Sequence, residues 1–320
     1  MNPVSIIKIP DNFSDQSHKD LAKKILDLKI DGIELSNAGG AWGATWETHQ
    51  DYDLTFLKFY KGIKVLRLYL PGVTNIKPIL SLADSLENLQ LGEFKSKKIS
   101  LDLLSSLPNI KYLSLVRQEN GIENITKLPK LIELGLTGYS VDKFSFLNKL
   151  QKLKRLYIGF GTTKKLDNIN ELKNIEELDI LWVKQLADIK AISNLTGLVR
   201  LKMEYQKQIK SLPNLSKLIK LKNVRLIDLN GLSDLSSLSN SSVEEFLLFG
   251  ANKNADILKS ISKSPRPNKI YTYFYSKKEQ TKSEQILGNK FYPQDKMKYH
   301  IDNRAKLLYH DLKTGKRLDI

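Results

Sequence analysis

The chain has 320 residues and a mass of 36.6 kDa, enough for two domains or one long repeat array. A composition of 41% hydrophobic and 27% charged residues excludes wholesale disorder, and the lack of cysteine excludes disulfide scaffolds, thiolate metal sites and cysteine nucleophiles. Lys and Arg outnumber Asp and Glu by 51 to 35, a formal charge of +16, so an anionic partner has to be weighed.

Two features count against nucleic acid. Only eight of the 51 basic residues are Arg, the side chain suited to bidentate phosphate and base contacts. The excess is also uneven, with 16 basic against 7 acidic residues over 251–320. No apolar run reaches the roughly 18 residues that span a bilayer, so no membrane partner is expected. The opening MNPVSIIKIPDNFSD lacks a basic segment followed by a clean apolar stretch, and a cytoplasmic location is the expectation.

In chain order, residues 4–9 (VSIIKI) read as a short strand. Residues 15–28 read as an amphipathic helix, with Asp15 or Ser17 as N-cap and Leu21, Ile25 and Leu28 along one stripe. Ile30, Ile33 and Leu35 then begin a degenerate form of a unit that recurs: apolar, two others, apolar, one other, apolar. Full copies start at Ile63, Leu86, Ile110, Leu131, Leu153, Ile175, Leu198, Leu221 and Val243, 21 to 24 residues apart. The copy at Ile110, for example, continues with Leu113 and Leu115. The last positions of each copy alternate with period two, as a half-buried strand requires. A further degenerate copy is expected at Ile270, Tyr273 and Tyr275. Between strands, apolar residues recur every three places, as at Leu101, Leu104 and Leu107 or at Leu212, Leu215 and Leu218. That spacing suits a 3₁₀ or extended return limb, because a full α-helix drifts off a period of three.

Nine copies in register over residues 54–248 resemble the leucine-rich-repeat family, in its short bacterial, internalin-like class of about 22 residues. The resemblance implies an α/β solenoid: a horseshoe with a parallel concave β-sheet and a 3₁₀ or extended convex side. Around it we expect an N-terminal helical cap and a β-rich C-terminal cap. The expected boundaries are a cap over 1–53, the solenoid over 54–264 and a basic β-rich cap over 265–320. Within that last segment KYHID, KLLYHDL and KRLDI read as strands, with a hairpin turn at Lys313–Lys316, and residues 254–262 read as a short helix. Nothing in the chain resembles internalin export or wall-anchoring signals, so their adhesive role is not carried over.

The repeats place the residues between core positions on the concave face: Arg67, Tyr69, Tyr112, Arg155, Tyr157, Phe160, Glu177, Asp179, Trp182, Arg200, Lys202, Glu204, Tyr205, Arg225, Phe249 and Phe274. Aromatic and Arg enrichment with charges of both signs is the composition of a protein interface. The insertion over 36–53, SNAGGAWGATWETHQDYD, offers a recognition loop through Trp42, Trp46 and His49. Its alternating Glu47, His49, Asp51 and Asp53 form too sparse a pattern to assign a metal.

Catalytic chemistry is thin. The four histidines, His18, His49, His300 and His310, form no close ligand pair, and the GFGTTKK run around Gly159 and Gly161 lacks the spacing of a phosphate loop. The chain is expected to be a monomeric, non-enzymatic protein binder without cofactor. Compact leucine-rich-repeat proteins of this kind suggest an immunity or antitoxin-like role. The alternative is a nucleic-acid binder, stacking bases on Tyr271, Tyr273, Phe274 and Tyr275 among Lys263, Arg266, Lys269, Lys277 and Lys278.

Overall fold

The computed structural model describes residues 4–9, 14–36, 51–140, 144–251, 254–293 and 307–310. They fall into two compact units, one built from 1–131 with 300–320 and the other from 132–299. The strands in chain order are β1 (Val4–Ile9), β2 (Gly32–Ser36), β3 (Val65–Tyr69), β4 (Asn88–Leu91), β5 (Tyr112–Val116), β6 (Glu133–Thr137) and β7 (Arg155–Gly159). They continue as β8 (Glu177–Leu181), β9 (Arg200–Glu204), β10 (Asn223–Ile227), β11 (Glu245–Ala251), β12 (Lys269–Phe274) and β13 (Leu307–His310).

In the first unit the sheet order is β13-β1-β2-β3-β4-β5, and in the second it runs from β6 through β12. The pairings within each unit are parallel and keep repeat register except at the end of β11–β12, where it shifts between Phe249 and Ala251; Leu178 of β8 lies opposite Leu156 of β7 and Leu201 of β9. The alternating apolar residues of each strand point inward and are buried, Leu156, Leu178, Leu201 and Val224 at one level and Ile158, Ile180, Met203 and Leu226 at the next. A single repeat exposes that face, so burial comes only from stacking on its neighbours.

The return limbs are 3₁₀ turns, including Leu101–Ser106 and Ile122–Lys127 in the first unit and Ser145–Lys149 and Lys190–Asn194 in the second. Their i to i−3 bonds, such as Leu107 N to Leu104 O at 3.1 Å, aim every third side chain at the core. Leu212, Leu215 and Leu218 are equally buried with no 3₁₀ segment, so that limb is extended.

The N-terminal helix α1 (Asp15–Asp27) forms as expected, with a different cap. Ser14, in extended conformation, is the N-cap and accepts from Ser17 N at 3.2 Å; Asp15 and Ser17 lie inside the helix. The stripe also shifts. Leu21 and Ile25 are buried, but Leu28 is exposed and His18 fills the inner face instead. His18 stacks on Phe56 with ring centroids 3.8 Å apart and its Nδ1 meets Tyr60 Oη at 2.7 Å.

The described residues of 265–320 include a helix as well as strands. The 3₁₀ turn Ala255–Leu258 and the short helix α2 (Lys259–Ser262) match the helix expected over 254–262. After β12 comes an unexpected helix, α3 (Lys277–Leu287), whose N-cap Ser276 accepts from Glu279 N at 3.5 Å. Its buried stripe is only Ser283 and Leu287, too thin for hydrophobic periodicity to reveal. The KLLYHDL segment does form a strand, β13, but it pairs with β1 in the first unit, Val4 opposite Leu307. Its alternation fits any open parallel edge, so sequence alone could not say which. The turn at Lys313–Lys316 and the segments KYHID and KRLDI lie outside the described residues.

Candidate functional site

The register of the second unit sorts its outward side chains into rows. The first row, from β6 to β12, reads Glu133, Arg155, Glu177, Arg200, Asn223, Glu245 and Lys269. Charges of opposite sign alternate across it and pair: Arg155 with Glu133 at 2.7 Å, Arg200 with Glu177 at 3.1 Å and Lys269 with Glu245 at 3.2 Å. These are cross-strand pairs that stiffen the sheet. Arg155, Glu177 and Arg200 were expected to meet a partner; their charges are already answered within the chain.

The second row holds Tyr157, Asp179, Lys202 and Arg225, all half-buried, followed by Leu247 and Tyr271. Lys202 Nζ turns to Glu204 of the third row at 2.9 Å. That third row ends in Phe249 and Tyr273, whose rings stack 4.7 Å apart.

One residue beyond the third row the backbone turns left-handed. Gly138, Phe160, Trp182, Tyr205, Asp228 and Gly250 all have positive φ, between 44° and 80°. The turn lets each amide continue the ladder: Phe160 N donates to Leu181 O, Trp182 N to Glu204 O, Tyr205 N to Ile227 O and Asp228 N to Phe249 O, all at 2.8–2.9 Å. Glycine takes this conformation freely, whereas an L-residue with a bulky side chain is strained there. Three of the strained positions carry large rings. Phe160, Trp182 and Tyr205 form a continuous file with centroids 5.9 and 6.4 Å apart, and Trp182 and Tyr205 remain 51% and 47% exposed.

The file continues from Tyr205 to Asp228 in the next left-handed position. Tyr275 Oη donates to Asp228 Oδ1 at 2.9 Å, and the Tyr275 ring lies edge-on to Tyr273, 5.8 Å away. That bond to an anion, the leading influence on the phenol, raises the Tyr275 pKa above its ordinary value. Expectation and structure differ at β12, where the inward residues are Ile270 and Thr272, opposite Phe246 and Leu248. Tyr273 and Tyr275 were expected in the core and are exposed. Phe274, expected on the outer face, is buried, as is Tyr271. The base-stacking set of the nucleic-acid alternative is thereby halved, and its cations Lys269 and Arg266 pair with Glu245 and Glu244.

In the first unit Arg67 and Tyr69 are held on the outer face by hydrogen bonds to their neighbours. Arg67 pairs with the buried Glu34 at 2.6 Å and donates to Gln90 and to Tyr69 Oη, and Tyr69 donates to Gln90 Oε1 at 2.6 Å. Gly92 leaves room for the Tyr69 ring, since a Cβ there would sit 2.9 Å from Tyr69 Cδ1. Tyr112 is half-buried. The expected recognition residues Trp42, Trp46 and His49 lie outside the described residues. Asp53, considered above as a ligand type, instead caps Thr55 through its side-chain oxygens at 2.6 and 2.9 Å. Among the described residues no three His, Asp or Glu groups come together in a metal-binding arrangement, and no helix is long and apolar enough to cross a membrane.

Sequence reasoning missed Asp228. The signal was its spacing, one residue past the strand at a left-handed position that Asp and Asn tolerate better than most side chains.

No protein-family model and no curated protein matches the sequence. Solved structures do. An internalin, InlF, of Listeria monocytogenes aligns over 83% of this chain and 74% of its own, with 16% identity and a TM-score of 0.52. Internalin C2 of the same organism is 24% identical over 72% of this chain and 92% of its own, with a TM-score of 0.45. A leucine-rich-repeat protein of Leptospira interrogans is 17% identical over 90% and 89%, with a TM-score of 0.39. The likeness to InlF, with the parallel in-register strands and 3₁₀ return limbs, gives this chain the leucine-rich-repeat solenoid fold, a scaffold commonly used for protein interaction.

Proposed function

We propose that the chain is a non-enzymatic protein-binding module and that its partner docks on the aromatic file of the second unit, centred on Trp182 and Tyr205. One observation carries this reading: consecutive repeats place large rings, half exposed, on backbone that glycine would occupy without strain. Strain of about 1–3 kcal/mol per residue persists where surrounding structure enforces it, and it concentrates at functional sites. Exposed Trp and Tyr are also the preferred anchors of interfaces.

Charge supports a protein partner. Glu133, Glu177, Asp179, Glu204, Asp228 and Glu245 share this face with Arg155, Arg200, Lys202, Arg225 and Lys269, so the face is close to neutral on a chain of +16. A polyanion would be drawn to the lysines elsewhere, not here. The finer reading, a cytoplasmic immunity or antitoxin-like protein acting as a monomer, rests on the resemblance of its repeats to compact leucine-rich-repeat proteins.

The test is affinity capture from the native extract at low and high salt, with Trp182→Ala/Tyr205→Ala alongside. The captured protein is then purified and its binding measured by calorimetry. Binding that survives salt and weakens at least tenfold in the double variant supports the reading, the size expected of a hot-spot pair. Retained nucleic acid that washes off with salt, equally from both proteins, would move the function to the basic surface.

A further inference from the structure

Asp228 differs from the four glutamates of the second unit's outer face. Glu133, Glu177, Glu204 and Glu245 each face a cation within 3.2 Å. Among the described residues Asp228 has no ion-pair partner, and its side chain receives one hydrogen bond, from the neutral Tyr275 hydroxyl on Oδ1. It retains only 9% of its surface. A carboxylate withdrawn this far from water is normally paired with a cation.

The surroundings are arranged to admit one. Tyr205, in the neighbouring left-handed position, and Tyr275 are about half exposed, and Tyr273 lies edge-on to Tyr275. Aromatic faces beside a carboxylate are the environment that attracts a guanidinium or ammonium group, by quadrupole and charge together. On the other side stands Gly250, at φ 72°, where a Cβ would collide with Asp228 Oδ1 and come within 3.0 Å of Tyr275 Oη. The glycine keeps open the space in which carboxylate and phenol meet.

We propose that Asp228, with the rings of Tyr205, Tyr273 and Tyr275, is a subsite for a cationic side chain, arginine or lysine, presented by the protein partner. The inference rests on the docking reading above and adds the chemistry of the group that enters: charge comes from Asp228 and flat apolar contact from the rings. The docked cation completes the ion pair that the described residues leave unmade.

The experiment uses the full chain labelled with 3-fluorotyrosine and three capped pentapeptides, Gly-Ser-X-Ser-Gly, in which X is arginine, lysine or uncharged citrulline. Fluorine resonances of Tyr205, Tyr273 and Tyr275 are assigned by single Tyr→Phe variants. The expected result is saturable shifts at these three positions with the arginine and lysine peptides and none with citrulline. Asp228→Asn should weaken arginine binding about tenfold, the loss of one charge-assisted contact. Asparagine tolerates positive φ, so this variant keeps the backbone turn. Should it nevertheless unfold, Tyr275→Phe removes only the hydroxyl and is expected to retain arginine binding within about threefold, because the carboxylate stays in place.

Equal binding of citrulline and arginine, an unchanged affinity in Asp228→Asn, or cationic peptides that leave all three resonances unmoved would each overturn the proposal. A captured partner lost by Trp182→Ala/Tyr205→Ala but bound equally by Asp228→Asn would sink the cation subsite and leave the docking reading standing. Asp228-dependent peptide binding with no protein captured would do the reverse.

Discussion

Trp182 sits at φ 44° with half of its surface in solvent. Its place in the fold asks for a left-handed residue, and its side chain adds little to the core. Trp182→Gly should therefore leave thermal stability level or raise it by up to about 1 kcal/mol, relief of strain set against the extra freedom glycine has when unfolded. Partner binding should nonetheless be lost. A chemical denaturation curve beside a binding isotherm checks both. A clear loss of stability would mean that the ring packs structurally.

Elements carry different liabilities. Across the charged row, Arg200 is a brace between strands, so Arg200→Glu sets two carboxylates against each other and should cost about 1 kcal/mol, while Arg200→Met should cost less. Comparing the two unfolding midpoints separates repulsion from simple loss of the pair. In α1 the issue is protonation. Burial, partly opposed by the charge of Asp15, lowers the His18 pKa below 6.5. The unfolded chain then binds the proton more readily than the folded one. Stability is unaffected above the unfolded value near 6.5 and falls as pH drops through it toward the lower folded value. Unfolding curves from pH 8 to pH 5 should show this loss, and His18→Phe, which keeps the stack on Phe56, should flatten it.

These elements also show what the sequence could disclose. The strands and return limbs were legible because stacking imposes a strict period on Leu and Ile. Single-residue events were not: Ser14 outcompeted Asp15 and Ser17 as cap, and α3 rests on the Ser276 N-cap with little apolar face. Of the proposed site, the outward placement of Trp182, Tyr205 and Phe249 was readable from register. The answering of Arg155, Glu177 and Arg200 by neighbours was not, because pairing across strands depends on rotamers that spacing leaves undetermined.

For the molecule as a whole, the +16 charge and the proposed docking face are separable. Retention on a heparin column should fall with salt in the usual way for a basic protein and should be the same for wild type and Trp182→Ala/Tyr205→Ala. A double variant that eluted earlier would place polyanion binding on the aromatic file. The core offers a second whole-molecule check. Each repeat borrows its stability from both neighbours, so Leu178→Ala in β8 should cost about 2–5 kcal/mol and loosen Leu156 and Leu201, which lie opposite it, as read by hydrogen exchange.

The pairing of β13 with β1 sets a clock on biogenesis. Val4 leaves the ribosome about 300 residues ahead of its partner Leu307. At roughly 5–20 residues per second, the outer edge of β1 waits on the order of 15–60 s before its covering strand exists. Over that interval an apolar parallel edge, Ile6 and Ile7 among it, is open to any passing chain. A nascent chain halted before residue 307 should accordingly recruit chaperones or self-associate, while one that carries β13 should not.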